Sequence, residues 1–114
     1  MIAVIFEVEI KDGAKDRYLD IAGGLKPLLE QIDGFISIER FQSLTTPGKL
    51  VSLSFWESEE AVANWRQLSA HREGQTEGRE EVFGDYRLRV AGVLRDYGMT
   101  NRDEAPQDLR DLHG

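Results

Sequence analysis

The stretch from Gly34 to Trp65 decides the fold, and it reads GFISIERFQSLTTPGKLVSLSFWESEEAVANW. Its first two thirds contain two segments in which apolar residues tend to alternate with polar ones, separated by a Thr-Pro-Gly turn. This alternation predicts two β-strands joined as a hairpin, at residues 35–44 and 49–57. Ser58 then offers a helix N-cap, and apolar residues follow it at three- and four-residue spacing, which predicts a helix.

Similar patterns flank this central stretch. Residues 2–10 alternate as a first strand, and residues 85–97 alternate as a last strand. Residues 14–32 carry apolar side chains at helical spacing, with Pro27 inside, so we expect a helix with a kink or a local break. Gly34 is expected to end that helix in the left-handed conformation.

The resulting order of strand, helix, strand, strand, helix, strand is the ferredoxin-like α+β pattern. It predicts a four-stranded antiparallel sheet with both helices on one face. The middle strands are partly apolar on both sides, so we expect the second face to pack against a second copy and close a dimeric α+β barrel. The sheet residues expected to be largely buried are Phe6, Leu53, Phe55, Leu88 and Val90.

Length indicates one domain. A chain of 114 residues fits a single compact unit, which we expect at residues 1–98. Residues 99–114 are expected to form a charged tail that is flexible or packed on the partner subunit. The polar stretch 69–83 is interpreted as a second, looser helical piece and a candidate mobile lid.

Composition excludes several classes of function. The net charge of -7 disfavours nucleic-acid binding. The lack of cysteine excludes disulfides, thiolate nucleophiles and cysteine-ligated metals, and no histidine and carboxylate spacing indicates a metal site. No run approaches the roughly 20 apolar residues that cross a bilayer, and no signal peptide is recognised. We therefore expect a cytoplasmic protein without membrane or nucleic-acid partners.

Four short features are informative in their order and spacing: Gly34-Phe35, the Pro47-Gly48 hairpin, the Phe55-Trp56-Glu57-Ser58 junction and the stretch from Trp65 to His71. In these features the chain, from about Ile2 to Met99, resembles the antibiotic biosynthesis monooxygenase domain family of the dimeric α+β barrel group. The resemblance implies a homodimer with one pocket per subunit, between sheet and helices. It also implies oxidation of a small aromatic quinol- or anthrone-like substrate by O2, without metal, flavin or haem.

The resemblance also implies which residues form the site. In members with this activity, the pocket carries a tryptophan on the second helix, a hydrogen-bonding residue about two turns later and an arginine on the last strand. The matching positions are Trp65, His71 and Arg87, which are the candidate catalytic residues. The best-known member has a tyrosine where this chain has His71, and histidine can act as a base near neutral pH. The candidate substrate-binding residues are Trp56, Asn64, Phe83 and Tyr86.

Simpler interpretations stand beside these roles. Trp65 lies on an apolar stripe and can be a core residue alone. In a straight helix, His71 lies about 120° around from Trp65, so it faces the same pocket only if the helix breaks near Ser69. Arg87 can pair with a glutamate across the sheet, which is the preferred interpretation for Arg89.

Two alternative functions follow from the same residues. One is a non-catalytic dimeric module that binds a small ligand or has a regulatory role. The other is haem degradation, for which the resemblance implies an asparagine on the first strand and a histidine about ten residues after the tryptophan. This chain has Phe6 and Glu7 on the first strand, and His71 comes six residues after Trp65. Haem degradation is therefore disfavoured.

Overall fold

The structure is a computed structural model that describes residues 1–73 and 83–108. The looser helical piece expected at 69–83 lies largely outside the described residues, as does the end of the expected tail. The secondary structure follows the predicted order of strands and helices. The elements are β1 (Ile2–Ile10), α1 (Lys15–Leu29), β2 (Phe35–Gln42), β3 (Lys49–Trp56), α2 (Glu59–Glu73) and β4 (Phe83–Gly92).

The strands form one antiparallel sheet in the order β2-β3-β1-β4. Phe6 of β1 lies opposite Ser52 of β3 on one side and Leu88 of β4 on the other. Residues that lie opposite one another in an antiparallel pair share a face of the sheet. The register therefore decides which side chains meet the helices, and the predicted ferredoxin-like α+β fold is confirmed.

Both helices pack on the same face of the sheet, where the core divides into two clusters. Large apolar side chains fill each cluster, and two buried serines, Ser52 and Ser54, lie on β3 between them. One cluster contains Val8, Tyr18 and Leu50, and the other contains Leu29, Trp56, Ala61 and Val62. The first cluster fixes the beginning of α1, and the second fixes its end together with the beginning of α2.

The opposite face of the sheet is the one expected to meet a second copy. Val51, Leu53 and Phe55 lie there, because they alternate with the buried residues of β3. They are half-buried in the described chain, and Phe41 of β2 is 46% exposed. The second, semi-apolar face is therefore present as predicted, and its occupation by a second copy stays a prediction.

Gly34 and Ser58 position the connections that lead into the hairpin and into α2. Gly34 has the positive φ predicted for it, at +91°, but it does not end the helix, because α1 already ends at Leu29 with Glu30 as its C-cap. A Cβ at this position would lie 2.8 Å from Cβ of Ala61. The Ser58 hydroxyl accepts a hydrogen bond from the Ala61 N–H at 3.2 Å, so its predicted role as an N-cap is confirmed.

Three details differ from the sequence-based expectation. Alternation along residues 35–44 puts Phe35 on the same face as Phe41, but a bulge between Phe35 and Ser37 places Phe35 opposite Trp56, so that it faces the helices. The last strand ends at Gly92, and the alternating residues after it are not part of the sheet. Helix α1 continues through Pro27, so the local break is absent, and the alternative of a kink at this position stays a prediction.

No helix within the described residues is long and apolar enough to span a membrane.

Candidate active site

Trp56 anchors the core at the end of β3. Its side chain is 1% exposed, and its ring lies edge-on to Phe35 with centroids 5.2 Å apart. The indole N–H donates a hydrogen bond to Oγ of Ser54 at 2.9 Å, as a buried indole requires. Trp56 has no free surface for a ligand in this structure. It is therefore a core residue and not the substrate-binding residue that the sequence analysis expected.

Trp65 borders this core on α2. It follows Ala61 and Val62 by four and three residues, which places all three on one stripe of the helix. Its side chain packs against the cluster that contains Trp56 and remains half-buried. Asn64 precedes it and is exposed. Trp65 therefore belongs to the core but retains surface that a ligand could contact.

The helix-facing side of β4 carries exposed apolar side chains. We call Tyr86, Leu88 and Val90 the β4 strip; they are 49%, 53% and 44% exposed. Leu88 lies opposite Phe6, and the centroids of the Phe6 and Tyr86 rings are 5.6 Å apart. The expected burial of Leu88 and Val90 is therefore wrong for the described chain. The reason is that β4 is an edge strand, and the buried clusters lie over β1 and β3.

Arg87 lies on the other face of the sheet. The register places it opposite Glu7, and its side chain is exposed. Successive residues of a strand point to opposite faces, so Arg87 points away from Tyr86, Leu88 and Trp65. Within one chain, the structure does not bring the predicted tryptophan and arginine together.

The face that carries Arg87 also holds an ion-paired cluster around Glu7. The Arg89 guanidinium donates a hydrogen bond from Nη1 to Oε2 of Glu7 at 2.8 Å, and Nζ of Lys49 lies 3.6 Å from Oε1. The hydrogen bond from Arg89 holds the pKa of Glu7 below its ordinary value, and the charge of Lys49 acts in the same direction. The predicted pairing of Arg89 with a glutamate across the sheet is confirmed.

His71 and Phe83 can be located only by their backbones. Helix α2 is continuous from Glu59 to Glu73, so the break near Ser69 that would turn position 71 towards Trp65 is absent. Position 83 begins β4. The side chains of both residues lie outside what the structure describes, and their roles stay predictions.

Arg40 lies on the helix-facing side of the sheet and was not selected by the sequence analysis. It lies on β2 opposite Ser52, on the face of the sheet that meets the helices. Its side chain is half-buried, and Nε is buried with no hydrogen-bond partner among the described residues. The sequence did contain a signal for Arg40, because alternation along β2 puts this positively charged residue on the same strand face as Ile38.

The chemistry available on this face is recognition of an apolar, planar molecule. Trp65 and the β4 strip supply aromatic and aliphatic surface, whereas Arg40 lies on the opposite edge strand of the sheet. Within residues 1–73 and 83–108, no group of three or more histidine, aspartate and glutamate side chains could hold a metal ion.

Comparison with known families tests the resemblance directly. Residues 1–77 match the sequence model of the antibiotic biosynthesis monooxygenase family. The chain belongs to this family. The match spans β1 to α2 and includes the whole stretch from Gly34 to Trp65. The resemblance inferred from the sequence is confirmed.

A curated relative supports the same assignment. The jasmonate monooxygenase ABM of Pyricularia oryzae is 46% identical over 93 residues. The match covers 82% of this chain but only 43% of the length of that relative. This identity supports the same family membership.

Solved structures confirm the fold at low sequence identity. Rv0793 from Mycobacterium tuberculosis has a TM-score of 0.72 at 18% identity, with 85% of this chain and 98% of that chain covered. The haem-degrader MhuD from the same organism, with two haems bound, has a TM-score of 0.70 at 18% identity, with coverage of 86% and 100%. At such identities the likeness concerns the fold alone.

Proposed function

We propose that the protein is a cofactor-independent monooxygenase that oxidises a small aromatic quinol- or anthrone-like molecule with O2. The observation that carries the proposal is the β4 strip, which leaves Tyr86, Leu88 and Val90 exposed beside the helices. Exposed apolar side chains in contact with a core are typical of a ligand surface. Trp65 and Phe6 border the same face and extend the aromatic surface.

The proposed reaction begins with loss of a proton from the substrate. The resulting phenolate or enolate transfers an electron to O2, and the two radicals combine to form a C–O bond. Loss of water from the hydroperoxide then yields a carbonyl group. For an anthrone, the CH2 group becomes C=O, one oxygen atom of O2 enters the product and the other leaves as water. No external reductant is needed, because the substrate supplies all four electrons.

The proton acceptor in this proposal is a water held by His71, because position 71 of the continuous helix α2 lies about 120° around the helix from Trp65. Helix α2 begins at the Trp56 end of the sheet and the chain continues from it to β4, which begins at the other end. Position 71 lies about 9 Å further along the helix axis than Trp65. Arg87 has no part in the proposal, because its register puts it on the opposite face.

A second substrate class deserves the same test. The relative that is 46% identical is named for jasmonate, which is a carboxylate and not a quinol. We therefore include jasmonate in the substrate panel beside anthrones and hydroquinones.

The proposed assembly is a homodimer formed through the face that holds Val51, Leu53 and Phe55. Half-buried apolar side chains on a two-sided sheet support this choice. The tail from residue 99 is proposed to pack on the partner subunit; Met99 is 91% exposed in the single chain.

The experiment that tests this function is oxygen consumption by the purified protein across the substrate panel. The His71→Ala variant should lower turnover by about 10²–10⁴-fold if it removes a general base, with the melting temperature unchanged. Equal oxygen consumption by both proteins would exclude His71 as the base. If neither protein consumes oxygen while ligands still bind, the non-catalytic binding module becomes the better description.

A further inference from the structure

We propose that the second face of the sheet binds a second copy of this chain about a two-fold axis parallel to the strands, so that Glu39 of each copy forms an ion pair with the partner's Arg87. This inference rests on the homodimer proposed above and specifies its orientation. It also gives Arg87 a role in assembly, in place of the catalytic role that the sequence predicted.

The two edge strands of the second face carry opposite charges. Glu39 of β2 lies opposite Leu53 of β3, and Leu53 lies opposite Ile5 of β1. Arg87 of β4 lies opposite Glu7, the next residue of β1 on this face. Because residues that lie opposite one another share a face, this face has an acid at the β2 edge, a base at the β4 edge and apolar side chains between them.

Both of these edge charges lack a partner within the chain. Glu39 and Arg87 are exposed, and neither forms an ion pair or a side-chain hydrogen bond in the part of the chain that the structure describes. Arg89 and Lys49, by contrast, are both paired with Glu7. The face therefore presents a free anion at one edge and a free cation at the other, and such a surface can complement its own copy.

The order of the charges distinguishes two face-to-face orientations. An axis parallel to the strands places β2 of one copy against β4 of the other, which brings Glu39 towards the partner's Arg87 twice. The same axis places β3 against β1, and Lys49, which lies opposite Glu9 in the register, then approaches the partner's Glu9. An axis across the strands places each strand against its own copy and brings like charges together, which is strongly unfavourable. Asp85 of β4 is compatible with the first orientation, because it lies about 14 Å along the strands from the partner's Glu39.

Side-chain length permits the proposed ion pair. Glu39 is level with Arg89 across the sheet, so it lies two residues, or about 7 Å, along the strand direction from Arg87. Stacked sheets lie about 10 Å apart, which gives a Cα separation of about 12 Å, within the combined reach of an extended arginine and glutamate. Arg89 is nearer, but its guanidinium already donates to Glu7 at 2.8 Å.

The test reverses the two charges separately and then together. Sedimentation over a dilution series gives the dissociation constant of the dimer, and subunit exchange between labelled and unlabelled protein gives a second measurement if the dimer is too tight to dilute apart. Glu39→Arg and Arg87→Glu should each raise the dissociation constant, or the exchange rate, at least about tenfold, because each change makes two attractive contacts repulsive. The double variant should return to within about threefold of the wild type.

Two comparisons make the result specific to this pair. Arg66→Glu reverses an exposed charge on α2 and should leave the dissociation constant unchanged. Glu39→Arg moves the formal net charge of -7 towards zero, so overall repulsion between copies would make this variant associate more tightly, whereas the proposed pair makes it associate more weakly. Recovery in the double variant also shows that both substituted residues are compatible with the fold.

The outcomes separate this proposal from the proposed function. Single variants that associate like the wild type, or a double variant that does not recover, would overturn the orientation while the dimer itself stands. A monomeric wild-type protein would reject the dimer and the orientation together. Charge-reversal results as expected, without oxygen consumption on any substrate of the panel, would retain this interface and reject the enzymatic function.

Discussion

Gly34 offers the sharpest test of how the hairpin is held against α2. It combines a left-handed backbone, at φ +91°, with a close approach to Ala61. A Cβ added at Gly34 would lie 2.8 Å from Cβ of Ala61, which is well inside normal contact. The change Gly34→Ala therefore has two separate costs, one from the backbone and one from the contact.

The magnitude of each cost can be worked out from these two features. A non-glycine residue in the left-handed region costs about 1–2 kcal/mol, and crowding of a packed site costs about 1–3 kcal/mol. The sum is about 2–5 kcal/mol, a large fraction of the roughly 5–15 kcal/mol that stabilises a typical domain. Gly13→Ala is the matched control, because Gly13 has φ +79° and no atom within 4 Å of an added Cβ.

The assay is urea unfolding followed by tryptophan fluorescence at one fixed protein concentration. Gly34→Ala should lose about 1–3 kcal/mol more than Gly13→Ala, which isolates the contact with Ala61. Adding Ala61→Gly to Gly34→Ala should recover part of that difference, as a favourable coupling energy in a double-mutant cycle. Equal losses in the two single variants, or no coupling, would refute the packing argument.

Three further predictions address assembly, cofactors and charge. Light scattering should give about twice the 12.9 kDa chain mass, and a clean monomer at micromolar concentration would reject the barrel. The variant Leu53→Ala should weaken association, because Leu53 lies on the face proposed as the interface. Purified protein should be colourless and should keep its fold in chelators, whereas stoichiometric haem uptake with spectral turnover under reductant would favour haem degradation. Glu7 has a lowered pKa in the folded protein. Its contribution to the free energy of unfolding should therefore be fully present above its unfolded pKa of about 4.3. That contribution should be lost as the pH falls through the pKa of Glu7 in the folded protein. Arg89→Gln should raise the pKa of Glu7 in an NMR titration, and an unchanged pKa would show that the hydrogen bond does not form in solution.

The features predicted correctly from the sequence are those with a local physical cause. Gly34 takes a positive φ at the entry to β2, and only glycine adopts that conformation at little cost, although α1 itself ends earlier, at Leu29. Ser58 caps α2 because its hydroxyl can reach an N–H group three residues later. The order of strands and helices follows from the change between two-residue and 3.6-residue periods, which is also local.

The features predicted incorrectly depend on neighbours that are distant in sequence. Phe35 changes face because a bulge inserts one residue against β3, and alternation alone does not reveal a bulge. Leu88 and Val90 are apolar, yet they are exposed because β4 is an edge strand. Trp56 has the ring expected of a pocket wall, but its indole N–H is used by Ser54. Each outcome depends on tertiary packing and not on residue type.

The two arginines show why family spacing identifies a fold more securely than a site. The assignment of Arg87 counts sixteen residues from His71, and that count crosses the connection between α2 and β4. A connection can gain or lose one residue at little cost in stability, but such a change moves every following strand residue to the opposite face. Arg40 is not subject to this ambiguity, because a short hairpin fixes β2 against β3 and pairs Arg40 with Ser52. A shared face is still not a shared site, because Arg40 lies on edge strand β2 and the β4 strip lies on the opposite edge of the sheet.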